Sequence, residues 1–156
     1  MKSVAIAALL GLASAFPSFD SFHAHCQIEA TIDGSNCADT LQALSDYVKS
    51  GKDEATPAGI YTHVAEDSTM VQATRKTANG KYTDDVMWST VGAGTDTSCT
   101  INAKSRSQSL SYYDYSVNFC NMYNPLRGTV FKGAITDIKV SNCKFPAAKD
   151  ETCDRY

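Results

Sequence analysis

The sequence lacks the short motifs that mark several common classes of enzyme. It contains no G-x-S-x-G, H-E-x-x-H, G-x-x-x-x-G-K-[ST] or G-x-G-x-x-G segment. These absences argue against a nucleophile elbow, a zinc-protease helix, a phosphate loop and a dinucleotide-binding turn. No cysteine stands in a C-x-x-C pair, so neither a zinc site nor a thioredoxin-type redox centre is indicated. The sequence therefore favours a protein that binds rather than catalyses, and it predicts no cofactor.

Positive charge is also scarce. The chain has 14 basic and 17 acidic residues, and Arg75-Lys76 is its single adjacent basic pair. Recognition of a nucleic-acid backbone needs clustered lysine and arginine, because these residues neutralise successive phosphates. The sequence therefore predicts no nucleic-acid partner.

One apolar run stands out, and it lies at the start of the chain. Residues 1–15, MKSVAIAALLGLASA, combine one lysine, an apolar stretch from Val4 to Leu12 and the small-x-small pattern Ala13-Ser14-Ala15. This order is typical of a cleaved signal peptide, and the run is shorter than the roughly 20 residues of a spanning helix. We expect a secreted, extracellular protein with residues 16–156 as a single α+β domain and no membrane anchor.

The cysteines indicate a disulfide-bonded domain. An even number in an exported chain predicts disulfide bonds, and six cysteines allow about 15 pairings. Loop length alone places a Cys99–Cys120 bond first. Each bond is expected to stabilise the fold by roughly 2–4 kcal/mol, mainly by restricting the unfolded chain. The six are Cys26, Cys37, Cys99, Cys120, Cys143 and Cys153.

The clearest helical pattern spans residues 37–49, CADTLQALSDYVK. Asn36 is a suitable N-cap with Asp39 three residues later, and Gly51 stands where a left-handed C-terminal cap is expected. The spacing of the apolar face predicts one amphipathic helix. That face comprises Cys37, Leu41, Leu44 and Val48.

The segment MVQATRKTANGKYTDDVMW predicts a β-hairpin. Asn79-Gly80 supplies the two positive-φ residues of a type I′ turn. Pairing across that turn brings apolar residues together and sets opposite charges on one face. The predicted pairs are Thr77 with Tyr82, Arg75 with Asp84, Ala73 with Val86 and Val71 with Trp88.

A second hairpin is predicted over residues 98–122. Its first arm alternates through Cys99, Ile101 and Ala103, which gives one apolar face. On the second arm, residues 113, 115, 117 and 119 form the apolar row. With further strands at 26–32, 58–67 and 134–143, the sequence predicts a mainly antiparallel sheet of about six strands. One N-terminal amphipathic helix is expected to pack on it.

The opposite face of that second arm holds the candidate ligand-binding residues. Its phenolic, carboxyl and amide groups are the kind that orient a small ligand in a cavity. Asp114 is the one titratable group among them whose pKa burial is expected to shift, which makes it a candidate for acid or base chemistry. The candidates are Tyr112, Asp114, Asn118 and Asn121.

The segment from Ser105 to Asn124, which contains SQSLSYYDYSVNFCNMYN, resembles one in small exported cysteine-containing proteins of eukaryotic microbes. The resemblance is confined to residues 105–124. It implies that the segment is a hallmark of that family, and it implies no catalytic chemistry.

His23-Ala24-His25-Cys26 is the one arrangement that points towards a metal, because imidazoles two residues apart reach one ion from an extended segment. No third histidine or acidic ligand follows at a characteristic spacing, and Cys26 is expected to be bridged. The sequence predicts an exposed N-terminal arm here, and no metal site.

Three classes of function follow from these patterns. The first is a non-enzymatic binding protein for a small apolar or amphipathic ligand, held between the helix and the concave sheet face; a lipocalin-like barrel is a variant of it. The second is an inhibitor or module that binds an extracellular protein. Its helix followed by strands is similar to cystatins, although their Gln-x-Val-x-Gly loop is missing. The third is an isomerase or cyclase that uses Asp114 with a tyrosine.

Overall fold

The computed structural model describes residues 15–51, 59–128, 134–145 and 153–154. The predicted signal peptide, residues 1–15, lies outside this part of the chain except for its last residue. Within the described residues, no helix is long and apolar enough to cross a membrane.

The described residues form six strands and two helices. In chain order the strands are β1 (His25–Asp33), β2 (Gly59–Glu66), β3 (Met70–Thr77), β4 (Thr83–Thr90), β5 (Ser98–Ser107) and β6 (Ile135–Ser141). Helix α1 (Cys37–Ser50) follows β1, and helix α2 (Val117–Gly128) follows β5.

The strands form one antiparallel sheet in the order β2-β3-β4-β5-β1-β6. Burial alternates strictly along β1 and β5, so one face of the sheet is packed and the other is partly open. Both helices contribute buried residues to the core on the packed face. The α+β class and the six-stranded antiparallel sheet are confirmed. The N-terminal position of the helix is wrong, because β1 precedes α1 and lies inside the sheet between β5 and β6.

Helix α1 begins and ends where its caps predict. The side chain of Asn36 accepts a hydrogen bond from the Asp39 amide at 2.8 Å. At the other end Gly51 has a φ of 68° and donates its amide to the Val48 carbonyl, as a left-handed cap requires. Leu41, Leu44 and Val48 are buried against the sheet.

The β3–β4 hairpin has the predicted register but a different turn. Arg75 pairs with Asp84, Ala73 with Val86 and Val71 with Trp88. Gly80 has a φ of 69°, whereas Asn79 is not among the described non-glycine residues with positive φ, so the turn is not type I′. Instead, the Asn79 side chain accepts hydrogen bonds from the Thr77 hydroxyl and the Lys81 amide, which stabilises a longer loop.

The second arm of the other predicted hairpin is wrong. After β5 the chain runs through an irregular loop and enters α2 at Val117. The apolar row predicted on a strand is therefore not a row. Tyr113 and Tyr115 are 61% and 71% exposed, whereas Phe119 lies in the core.

Three disulfide bonds connect the described cysteines: Cys26–Cys143, Cys37–Cys99 and Cys120–Cys153. The expected Cys99–Cys120 bond is wrong. Cys99 lies beneath the first turn of α1, where Cys37 reaches it, while Cys120 on α2 bonds to Cys153. The bonds thus join each helix, and the segment after β6, to another part of the fold.

Candidate functional site

The loop between β5 and α2 presents large side chains to solvent. This segment, residues 108–116, is called the tyrosine loop below. Its exposed side chains belong to Leu110, Tyr112, Tyr113 and Tyr115, which are between 56% and 78% exposed. Phe22, 70% exposed, lies beside them, because the Ser111 amide donates to the Phe22 carbonyl at 3.0 Å. Together these five residues form the aromatic patch. Contiguous exposed apolar side chains of this kind mark interaction surfaces.

The backbone of the tyrosine loop is held in an unusual conformation. Tyr115 and Ser116 have φ values of 50° and 74°, a region that costs a non-glycine residue on the order of 1 kcal/mol or more. The carboxylate of Asp114 holds the loop there, because it accepts hydrogen bonds from the amides of Ser116 and Asn118, each at 3.2 Å. Strain of this kind persists where the surrounding structure fixes it, and it clusters at binding sites.

A buried polar network anchors the loop to the sheet. Asn118 donates its side-chain amide to Asp114 at 3.0 Å and accepts from the Ser105 hydroxyl at 2.7 Å. Asn121, one turn further along α2, donates to Ser105 at 3.1 Å and to Asp84 at 2.8 Å. The network therefore runs from the carboxylate in the loop to the carboxylate on β4, which fixes the loop relative to the sheet.

Asp84 lies inside this network. The Ser107 hydroxyl donates to it at 2.7 Å, and only 2% of the residue is exposed. Burial raises the pKa of the Asp84 carboxyl above its ordinary value, against the opposing effect of hydrogen bonds from Ser107 and Asn121 and the charge of Arg75. Because its carboxyl is covered by the protein, Asp84 is not placed to exchange a proton with a bound molecule.

An N-terminal arm, residues 16–24, runs beside the tyrosine loop, to which Phe22 is hydrogen-bonded. The Arg106 guanidinium contacts the Asp20 carboxylate at 2.6 Å, and His23 Nδ1 lies 2.8 Å from the same carboxylate. These two contacts, the arginine first, hold the pKa of Asp20 well below its usual range. Since the Ser107 amide also donates to the Ala24 carbonyl at 2.9 Å, the arm is fixed along β5.

A cleft of about 380 Å³ separates the arm from the tyrosine loop. The segment that follows β6 completes its walls. Its volume falls within the roughly 300–1,000 Å³ that is usual for ligand sites. The lining residues are Asp20, Ser21, His23, Ala24 and His25 from the arm and β1, Ser111, Tyr112 and Asp114 from the loop, and Asn142, Cys143 and Lys144.

Ring contacts connect the cleft with the aromatic patch. Lys144 Nζ lies 3.0 Å from the centre of the Tyr112 ring, which lines the cleft. Tyr112 contacts Tyr113 edge to face, with ring centroids 5.1 Å apart. Tyr113 in turn lies near-parallel to Tyr115, at 28° and 6.3 Å, and 5.5 Å from Phe145. The aromatic surface is thus continuous from the cleft outward.

The four ligand-binding residues predicted from sequence separate into two pairs. Tyr112 and Asp114 line the cleft. Asn118 and Asn121 are fully buried beneath it, because α2 turns them towards the sheet rather than leaving them on a strand face. The four residues therefore do not form the predicted row on one strand face, although Tyr112 and Asp114 both line the cleft.

Sequence reasoning missed most of the cleft. His23 and His25 line the cleft, whereas the sequence predicted an exposed arm there. The described residues contain no group of three or more His, Cys, Asp or Glu that could hold an ion. No motif or spacing in the sequence around Asn142 and Lys144 indicates a binding site. They reach the cleft because β6 pairs with β1 as far as Ser141 and the next cysteine is bonded to Cys26.

A serine, a carboxylate and a histidine also meet between α1 and the end of β2. Ser45 donates its hydroxyl to Glu66, and His63 Nε2 lies 3.2 Å from the same carboxylate oxygen. The carboxylate, rather than the imidazole, therefore accepts the serine proton, which is not the order of a hydrolytic triad. The Lys49 ammonium, followed by Ser45, lowers the pKa of Glu66 to about 2, so this carboxylate is a poor base. The group therefore links α1 to the end of β2, and it is called the Glu66 clamp.

The chain matches no protein-family model and no curated protein sequence.

Proposed function

We propose that this protein is a secreted, non-enzymatic binding protein that holds an amphipathic ligand in the cleft between the N-terminal arm and the tyrosine loop. The observation that carries the proposal is the aromatic patch, whose side chains stay exposed on a strained and hydrogen-bonded backbone at the mouth of the cleft. Exposing five large apolar side chains disfavours the free protein, and their burial against a ligand reverses that effect.

The structure leaves no room for a ligand at the location that the sequence predicted, between the helix and the sheet. Between the helices and the sheet, Leu44, Val48, Ile101 and Trp88 are at most 1% exposed, so side chains of the protein occupy the places where a ligand was expected. The Trp88 indole donates to the Met122 carbonyl at 3.1 Å, which ties α2 to the sheet. The ligand site is therefore proposed at the edge of the sheet.

The first residues of the chain and its disulfide bonds support the secreted part of this proposal. Residues 1–15 have the pattern of a signal peptide, and three disulfide bonds in a small domain are typical of proteins that function in an oxidising compartment.

An extracellular protein is the second candidate partner. Phe22, Leu110, Tyr113 and Tyr115 lie outside the lining of the cleft, so the aromatic patch extends beyond what a small ligand covers. Exposed tyrosines on a fixed loop give a large contact area at a low entropic cost, as in antibody binding loops.

The test is a titration of the oxidised chain, followed by amide NMR shifts. The probes are an uncharged oligosaccharide, a phenolic compound and dodecylphosphocholine below its micellar concentration. We expect at least one of them to shift amides confined to residues 20–25, 109–116 and 142–145, and Tyr113→Ala to weaken that response. Tyr82→Ala is the matched control, because Tyr82 is also about half exposed but lies in the β3–β4 connection. Shifts confined to other surfaces, or none with any probe, would rule the proposal out.

A further inference from the structure

We infer that the ligand class is a neutral oligosaccharide, an inference that rests on the binding function proposed above. A sugar ring has an apolar C–H face and a rim of hydroxyl groups. Its site must therefore combine aromatic faces with many hydrogen-bonding groups, since a buried polar group without a partner is costly. The cleft and the aromatic patch provide both.

The cleft combines polar groups with apolar surface, which an alkyl chain matches only in part. Eight of its eleven lining residues are polar or charged, the exceptions being Ala24, Tyr112 and Cys143. An apolar ligand would displace water from these groups without replacing its hydrogen bonds, which opposes binding. Hydroxyl groups replace that water with equivalent donors and acceptors.

One acceptor in the cleft has a fixed orientation. His25 Nδ1 lies 2.8 Å from the His23 carbonyl, so this nitrogen carries the proton and donates it. In the neutral ring Nε2 is then the acceptor. The His25 ring stacks on Phe19 with centroids 4.4 Å apart and an angle of 14°, which holds it in place. A hydroxyl donor matches such an acceptor.

The charges at the cleft favour an uncharged ligand. The Asp20 carboxylate is already neutralised by Arg106 at 2.6 Å, and Asp114 is held by the amides of its own loop. Lys144 lies over the Tyr112 ring, and its positive charge is opposite in sign to the charge of the Asp114 carboxylate. An anion would lie close to two carboxylates as well as to Lys144 and Arg106, and a cation would meet the same four charges, so the cleft selects neither sign and leaves a neutral molecule unopposed.

The aromatic surface indicates more than one sugar unit. Tyr112 lines the cleft, but Tyr113, Tyr115 and Phe145 continue outward from it through ring contacts of 5.1–6.3 Å. Tyr113 is 61% exposed and occupies the centre of this surface. A ligand that fills the cleft and also covers Tyr113 must therefore be extended.

The test is isothermal titration of the oxidised chain with neutral hexasaccharides of β-1,3- and β-1,4-linked glucose. An oligogalacturonate of equal length and dodecylphosphocholine below its micellar concentration are the comparison probes. We expect a neutral hexasaccharide to bind at millimolar or lower concentration and more tightly than the oligogalacturonate. Tyr113→Ala should weaken its affinity about tenfold or more, whereas Tyr113→Phe, which keeps the ring, should change it by less than about threefold.

The comparison probes separate failure of this inference from failure of the proposed function. If dodecylphosphocholine or the acid saccharide binds with Tyr113 dependence while no neutral saccharide does, the ligand class is wrong and the binding site stands. Saccharide binding that Tyr113→Ala leaves unchanged also overturns the inference. If no probe binds through Tyr113, both the ligand class and the proposed site are rejected.

Discussion

Arg75 and Asp84 are charged residues in the core, and their environment explains why both are tolerated. They pair across the β3–β4 hairpin and are 1% and 2% exposed. The Arg75 guanidinium lies 6.0 Å from the centre of the Tyr61 ring, and Gly59 on the neighbouring strand leaves room for it. A Cβ atom at Gly59 would come within 2.5 Å of three atoms of that guanidinium.

Gly59→Ala should therefore destabilise the protein by roughly 1–3 kcal/mol, the range for overpacking. The loss should shrink in an Arg75→Leu background, where the colliding group is absent. Gly80→Ala is the control, since its φ of 69° carries a backbone cost but its Cβ meets only the end of Lys76. Urea unfolding of the four variants measures the coupling, and equal losses in both backgrounds would show that Arg75 is not the obstacle.

Asp84 gives the protein a particular dependence on pH. Its folded-state pKa is raised, chiefly by burial, so between the ordinary value of 3.8 and that raised value the folded state binds more protons than the unfolded state. Stability therefore falls as pH rises through this window. Asp84→Asn should remove this fall, so its stability relative to the parent should improve from pH 4 to pH 7. Urea unfolding at both values provides the measurement, and an unchanged difference would contradict the prediction.

Glu66 should show the opposite sign. Its pKa is lowered from 4.5 to about 2, mainly by Lys49 and Ser45, so its contribution is present above pH 4.5 and is lost as pH falls towards 2. Because the side chain is 38% exposed, Glu66→Gln should cost only about 0.5–1 kcal/mol at pH 7. That cost should diminish at pH 3, and a cost that persists there would mean that the Glu66 clamp does not depend on ionisation.

At the scale of elements, the tyrosine loop and α2 differ in what their side chains contact. The loop exposes aromatic rings, whereas the first turns of α2 insert amide side chains into the sheet. A helix whose buried side includes Asn118, Asn121 and Asn124 depends on hydrogen bonds as well as on apolar packing.

Asn118→Ala should cost about 1–3 kcal/mol, because it removes the acceptor of the buried Ser105 hydroxyl and one of the donors to Asp114. Tyr115→Ala should change the free energy of unfolding by less than about 0.5 kcal/mol, since the ring is 71% exposed. Thermal and urea unfolding of the two variants measure these two losses of stability. A larger loss for Tyr115→Ala would mean that its ring is packed.

At the scale of the whole molecule, the disulfide bonds connect stability with the site. Cys26–Cys143 closes a separation of 117 residues and holds Asn142 and Lys144 at the cleft, whereas Cys37–Cys99 closes 62 residues and joins α1 to β5. In the chain-entropy model both bonds contribute several kcal/mol through the unfolded state.

Replacing either pair with serine should therefore destabilise the protein by about 2–5 kcal/mol. Removal of Cys26–Cys143 should in addition shift the amides of residues 20–25 and 142–145 and weaken any ligand of the cleft. Removal of Cys37–Cys99 serves as the control and should leave those amides in place in the folded fraction. Identical spectra at the cleft for both variants would show that the first bond does not shape the site.

Local sequence chemistry determined the elements whose stabilising interactions are close in the chain. The caps of α1 at Asn36 and Gly51 depend on contacts within three residues, so its bounds were predictable. The β3–β4 register followed from alternation, because a slip of one residue would expose Val71 and Trp88 to solvent. The turn type was not predictable from Asn79-Gly80 alone, since the Asn79 side chain bonds to Thr77 and Lys81 instead.

Tertiary structure decided the site. Alternating aromatics at 113–119 predicted a strand, yet residues 113–116 lie in the tyrosine loop and α2 begins at Val117. The helix was not predicted because its buried side includes asparagines, which count as polar in a hydrophobic pattern. Asn118 and Asn121 are hydrogen-bonded to Ser105 and Asp84, distant residues that β4 and β5 bring beneath the helix. The cleft likewise needs Asn142 and Lys144, which the Cys26–Cys143 bond places beside the arm. Hydrogen bonds and disulfides between distant residues leave no period in the sequence, so only the folded chain shows them.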